Sequence, residues 1–132
     1  MDYKGFYREI RLEKYLEKLA KKYKEKKIII YGAGLMSKAM LENYDLSRLN
    51  IVGFCDAKYS QNSEEVFYGY RTFSPIDLKN IDFDIILVNL YKSGKVINKI
   101  KYELIINSKN EDKKVQNLIK INLWFILKHL FF

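Results

Sequence analysis

The chain has one cysteine, one histidine, one proline and six glycines among its 132 residues. Each scarcity excludes a class of chemistry. The lone Cys55 cannot close an intrachain disulfide or build a multi-cysteine zinc site. A reducing cytoplasm is therefore the expected location. His129 alone supports neither a histidine metal site nor a histidine dyad. No run approaches the roughly 20 apolar residues that a membrane span needs. The longest strongly apolar patch, Leu123 to Leu127, is cut off by Lys128 and His129. The first 27 residues are charged and lack an apolar core segment, so they do not read as a secretory signal.

What remains is a basic, aromatic-rich sequence with 48% hydrophobic residues and a net charge of +8. A chain of this length predicts one domain, 1–132, able to bury its own core. It divides into an N-terminal helix (1–26), a core (27–104) and a C-terminal segment (105–132). Residues 1–27 hold ten Lys/Arg against five Asp/Glu, so the positive charge is concentrated at the start. Such a bias attracts nucleic acid or anionic membranes, but it also suits a solvated helix face. The solvated face is the reading adopted, with no nucleic-acid partner expected.

Helical spacing of Leu12, Leu16, Leu19 and Tyr23, extended by Phe6 and Ile10, predicts one amphipathic helix over 3–25. At Ile28 the period changes. Ile28 to Tyr31 is a short run apolar on both faces, as in a central parallel strand. A turn at Gly32 and Gly34 follows, then a helix carrying Leu35, Met36, Met40 and Leu41. Asn50 to Phe54 reads as a second strand, with Cys55 and Asp56 at its carboxyl end. Lys58 to Glu65 reads as loop, and Tyr70 to Phe73 as a short third strand. Ser74-Pro75 opens a short helix. Ile85 to Val88 form the next strand, which exits at Asn89, and a helix begins near Ser93 or Gly94. Lys109 to Lys114 reads as a polar loop. Residues 115–121 suit either a fifth strand or the start of a long helix, and 122–130 reads as an apolar helix. The order predicts an α/β fold: a doubly wound, mainly parallel, Rossmann-like sheet of four to five strands.

The strand–turn–helix beginning at Ile28 carries the functional signal. Gly32-Ala33-Gly34-Leu35-Met36-Ser37 approximates G-x-G-x-x-G, with Ser37 at the third small position. In such a turn the first glycine permits the tight bend. The second lets backbone approach a pyrophosphate, and the helix start offers free N–H groups to it. An acidic residue is expected about 20 positions on, at the end of the second strand. Asp56 fills that place and would accept ribose hydroxyls. The expected nucleotide site is therefore Gly32, Ala33, Gly34, Leu35, Met36, Asp56 and Asn89, with NAD or a UDP-sugar as the ligand. The structural alternative is a turn that only redirects the chain, with Asp56 a solvated strand end.

The segments "KIIIYGAGLMSKAM", "NIVGFCDAKY", "FYGYRTFSPIDL" and "FDIILVNLYKSGKVINKI" together resemble small nucleotide-binding domains of bacterial surface-polysaccharide biosynthesis. One such domain is the N-terminal part of UDP-amino-sugar acyltransferases. Another is attached to epimerases and dehydratases of capsule and O-antigen pathways. The resemblance covers about residues 27 to 101, and Ser37 and Cys55 depart from its pattern. It implies a nucleotide site at Gly32, Gly34 and Asp56, and a loop from Asn89 to Ser93 that closes over it. The catalytic portions of those enzymes have no counterpart in these residues.

Other chemistry is weakly signalled. Tyr91-x-x-x-Lys95 matches a dehydrogenase pair, but so does Tyr23-x-x-x-Lys27, and both are expected by chance in a chain so rich in Tyr and Lys. No catalytic set emerges, and a binding or accessory domain, or part of a larger enzyme, is expected. The rival expectation is an interaction protein with a vestigial pocket. Eight of the ten residues Leu123 to Phe132 are apolar. They are expected to cover the sheet, or to join a second copy or a partner protein. Membrane-surface contact is the least favoured use.

Overall fold

The computed structural model describes residues 2–91 and 93–119. The expected 122–130 helix and the interface at Leu123–Phe132 lie outside these residues. The described chain is a mixed α/β structure around one six-stranded sheet, in the order β3-β4-β2-β1-β5-β6. The strands are β1 (Ile28–Tyr31), β2 (Ile51–Cys55), β3 (Val66–Phe67), β4 (Tyr70–Phe73), β5 (Ile85–Val88) and β6 (Lys114–Asn117). All neighbours are parallel except the β3–β4 hairpin. Six strands therefore replace the expected four or five.

β1 and β5 are buried along their whole length, as continuous apolar runs require. Their side chains alternate between two cores. Ile28, Ile30, Ile85 and Leu87 face one; Ile29, Tyr31, Ile86 and Val88 face the other. Helices α1 (Tyr3–Glu9), α2 (Leu12–Lys22) and α3 (Leu35–Asn43) supply the first core. On the second face lie a 3₁₀ turn (Pro75–Lys79), helix α4 (Gly94–Lys99) and a π-helical turn (Ile100–Leu104). Among the described residues no helix is long and apolar enough to cross a membrane.

Three features differ from the expected elements. The single helix over 3–25 is two helices, broken at Ile10 and Arg11. Arg11 takes the left-handed conformation, with φ 55°. Neither Gly nor Pro marks the break. It turns α1 onto α3, so that Tyr7 as well as Leu12 is completely buried. A continuous helix could not bury both in the same way. The β3–β4 hairpin turns at Tyr68 and Gly69, both with positive φ. That geometry normally selects Asn-Gly or Gly-Gly, which is why the loop assignment stopped short of a strand. Finally, Lys114 to Asn117 is the parallel edge strand β6. The first three residues of the ambiguous 115–121 segment are thus strand.

β2 carries an extra residue. Ile28 pairs with Ile51, but Ile29 pairs with Gly53. The bulge puts Ile51 and Phe54 in the same core although they are three apart. Gly53 permits it, since a Cβ there would lie 2.4 Å from the Phe73 ring and 2.8 Å from the Arg71 carbonyl oxygen. The glycine of the "VGF" segment thus serves sheet packing.

The chain moves outward from β1 to β2 on one side, and later crosses to β5 on the other. The carboxyl ends of β1 and β5 therefore flank a point where the winding reverses. Open α/β sheets bind ligands at such points.

Candidate functional site

β1 delivers the Gly32-Ala33-Gly34 turn to this point. Gly32 has φ 121°, and a Cβ on it would lie 2.6 Å from the Asn89 carbonyl oxygen. The first glycine is therefore imposed by the approach of the β5 end. Ala33 is fully buried. Gly34 differs, because a Cβ there would meet nothing within 4 Å. It occupies the N-cap of α3 with no side-chain hydrogen bond to the helix. The first amides of any α-helix lack intrahelical acceptors, and glycine brings no oxygen to replace them. The start of α3 at Leu35 and Met36 is thus uncapped by its own N-cap residue, beneath open space. Leu35 is exposed.

Asp56 does reach the turn. Its Oδ2 accepts the Ala33 N–H at 2.8 Å, and its Oδ1 accepts the Lys58 N–H at 3.1 Å. The carboxylate thus fixes the bend as its first task. Each oxygen keeps a second lone pair, so acceptance of ribose hydroxyls stays chemically open. Lys58, in the segment expected to be loop, also joins the turn. Its Nζ donates to the Ala33 carbonyl oxygen at 2.6 Å and lies over the Tyr59 and Phe67 rings. A cation two residues past the acidic strand end, in "DAKY", was the available signal.

Asn89 points inward. It is 3% exposed. Its Nδ2 donates to Ser37 Oγ at 3.1 Å and to the Tyr7 hydroxyl at 3.3 Å. Ser37 donates in turn to the Gly32 carbonyl oxygen at 2.5 Å. Tyr7 gives its own proton to the Met36 carbonyl oxygen at 3.0 Å, a better acceptor by distance than Asn89 Oδ1 at 3.4 Å. This buried set ties α1, the glycine turn, the start of α3 and the end of β5 into one unit. Ser37 therefore fits the third small position because it is small and because its hydroxyl bonds the turn. The Asn89 amide is a brace for the site.

A cleft of about 380 Å³ opens at the carboxyl ends of β5 and β6 and reaches α3 at Met36; Gly32 to Leu35 and Asp56 are not among its lining residues. Phe6, Met36, Leu90, Tyr91 and Ile119 are among the residues that line it. Ser93 and Asn117 meet there, with Ser93 Oγ donating to Asn117 Oδ1. Ser93 belongs to the loop that the resemblance implies closes over the site, whereas nothing in the sequence pattern points to Asn117. Tyr91 is exposed and Lys95 lies in α4. Lys92 is outside the described residues.

Burial governs the titration of the surrounding groups. The Tyr7 phenol is pushed up to about 12 by burial, partly offset by its bond with Asn89. Burial also raises Tyr31 to about 12, with smaller contributions from Cys55 and Asp56. For both, the folded state holds its proton at pH values where the unfolded chain releases it. The stabilisation is complete below about pH 10 and is lost as pH rises toward 12. The thermal midpoint is expected to fall across that window, and less steeply in Tyr7→Phe and Tyr31→Phe. Cys55 is completely buried and its thiol is pushed up, mainly by burial. Thiolate is the reactive form. Cys55 is therefore expected to resist iodoacetamide in the native protein and to react on unfolding, as mass spectrometry would report. No cluster of three or more His, Cys, Asp or Glu suited to a metal occurs among the described residues.

The family model described as C2185-like, N-terminal, matches residues 24–115. That span is well over half of the chain, and the chain belongs to this family. No curated protein and no solved structure matches it.

Proposed function

We propose that this C2185-like N-terminal domain is a Rossmann-like module that binds a nucleoside diphosphate, carried as a nucleotide sugar or as a dinucleotide such as NAD. The observation that carries the reading is the uncapped start of α3, beneath open space at the winding reversal. There the Leu35 and Met36 amides and the helix dipole favour a diphosphate. The dipole supplies only about 0.3–2 kcal/mol. Micromolar affinity requires about 8 kcal/mol, so the remainder falls to ribose at Asp56 and to the cleft beyond Met36. Lys58 adds positive charge near the same turn. The resemblance carried by the "VGFCD" and "SPIDL" segments suggests a setting in surface-polysaccharide biosynthesis, in a cytoplasmic enzyme or its accessory domain.

A second reading has its own support. Both Asp56 oxygens already hold backbone N–H groups. An interaction protein that keeps the turn only for its fold would look the same there. Calorimetric titration with UDP, UDP-sugars, NAD and NADP separates the two. Saturable binding of one of them supports the first reading. A thermal shift equivalent to about 2.7 kcal/mol should accompany that ligand at 100 times its dissociation constant. Heat and midpoint unchanged by all four would favour the interaction protein.

A further inference from the structure

The cleft at the carboxyl ends of β5 and β6 is lined largely by apolar residues, Met36, Val88, Leu90 and Ile119 among them. None of its described lining residues is charged. Such a surface is stabilised by an apolar occupant, because contact removes both partners from water. The chain's own course leads one there. Just past β6, the Leu118 N–H donates to the Val88 carbonyl oxygen at 2.9 Å, and the Leu118 side chain is completely buried. Ile119 comes next and belongs to the cleft lining. The chain therefore leaves the described fold at the cleft itself. It continues as Lys120 to Phe132, and eight of the ten residues from Leu123 onward are apolar. We propose that this segment of the same chain is the occupant of the cleft, with its aromatic side chains packed against Met36 and Leu90.

Three arguments favour it over an outside partner. The first is tethering. A segment joined to the cleft through Ile119 meets it as an intramolecular partner, at an effective concentration of roughly millimolar. The second is reach. The 13 residues would span about 20 Å as a helix and about 45 Å if extended, so the cleft is accessible from its own rim. The third is chemistry. So dense an apolar stretch, left uncovered, would form a patch that monomeric soluble chains rarely carry. Lys120, Lys128 and His129 can stay in water while their apolar neighbours are buried. This inference does not rest on the nucleotide reading, but it bears on it. Any ligand group that extends past Met36 competes with the segment for the cleft, which makes the segment a built-in competitor.

The test uses the full chain with isotope-labelled methionine methyl groups. Met36 is the only methionine among the described lining residues of the cleft. Nuclear Overhauser contacts are expected between its methyl group and aromatic ring protons of the segment. Replacing Trp124, Phe125, Phe131 and Phe132 together by serine should abolish those contacts and shift the Met36 methyl resonance. The Met40 methyl, completely buried in the core, reports whether that variant is folded. Should it not be, Trp124→Ser and Phe125→Ser, each removing one ring, are expected to weaken the same contacts. A mixture of labelled and unlabelled chains, recorded with an isotope filter, separates a chain's own segment from that of a second copy. Contacts within one chain that are lost with the rings support the inference. A Met36 methyl without aromatic contacts, contacts that all survive the substitutions in a folded variant, or contacts that cross between chains would each overturn it.

Discussion

Gly32→Ala is expected to destabilise the domain by about 2–4 kcal/mol, whereas Gly34→Ala should leave it folded and unable to hold its ligand. The two glycines stand two residues apart, but they answer to different constraints. Gly32 needs a backbone conformation that L side chains rarely adopt, and an added Cβ would press on the carbonyl oxygen of Asn89. Conformational strain at such a position costs of order 1–3 kcal/mol, and overpacking against backbone adds a comparable amount. The neighbouring strand end cannot yield easily, because Asn89 is held by Ser37 and Tyr7. Gly34 has no such neighbour and its φ is negative. A methyl group there meets only the space proposed for the diphosphate. Denaturant melts and ligand titrations of the two variants would therefore move in opposite columns: stability lost at Gly32, affinity lost at Gly34. If Gly34→Ala binds as tightly as the parent, the diphosphate does not lie over that residue.

Asp56→Ala carries the second large effect, and it is double. The carboxylate accepts the N–H of Ala33, a residue completely shielded from solvent. Removing the acceptor leaves a buried donor unpaired, at a cost of about 1–3 kcal/mol. The variant should also lose ligand affinity by tenfold or more, through both the missing ribose acceptor and a loosened turn. Asp56→Asn separates the contributions. Its amide oxygen can still take one of the two backbone N–H groups, so about half of the lost stability should return. A ligand that needs the charge and both oxygens should remain weakly bound. Stability that is unchanged in Asp56→Ala would show that the turn holds without its carboxylate. Affinity that recovers fully in Asp56→Asn would show that the ribose role is wrong.

These three residues also show what the sequence discloses. β1 and β5 are legible because four consecutive apolar residues can only be buried on both faces. The glycine turn and the acidic strand end are legible as a spaced pattern. Their division of labour is not, since the pattern cannot say that Gly32 serves β5 and Gly34 serves open space. Asn89 was legible as a strand exit, but its inward direction depends on Tyr7, 82 residues away. No local signal encodes that partner. The break at Arg11 is invisible for a related reason. An arginine in the left-handed region is tolerated only because α1 gains a buried tyrosine by turning. The bulge at Gly53 and the Tyr68–Gly69 hairpin likewise follow from neighbours across the sheet. β6 alternates too weakly, and is too short, to be told from a helix start by period alone. In each case tertiary contact overrode local preference.

The central claim is that the amides at the start of α3 grip a diphosphate, and backbone NMR measures those amides directly. Adding the nucleoside diphosphate that binds should produce saturable shifts largest at Gly34, Leu35 and Met36, with Ala33 and Lys58 next. Shifts confined to other surfaces, or none at α3 while binding saturates, would contradict the account.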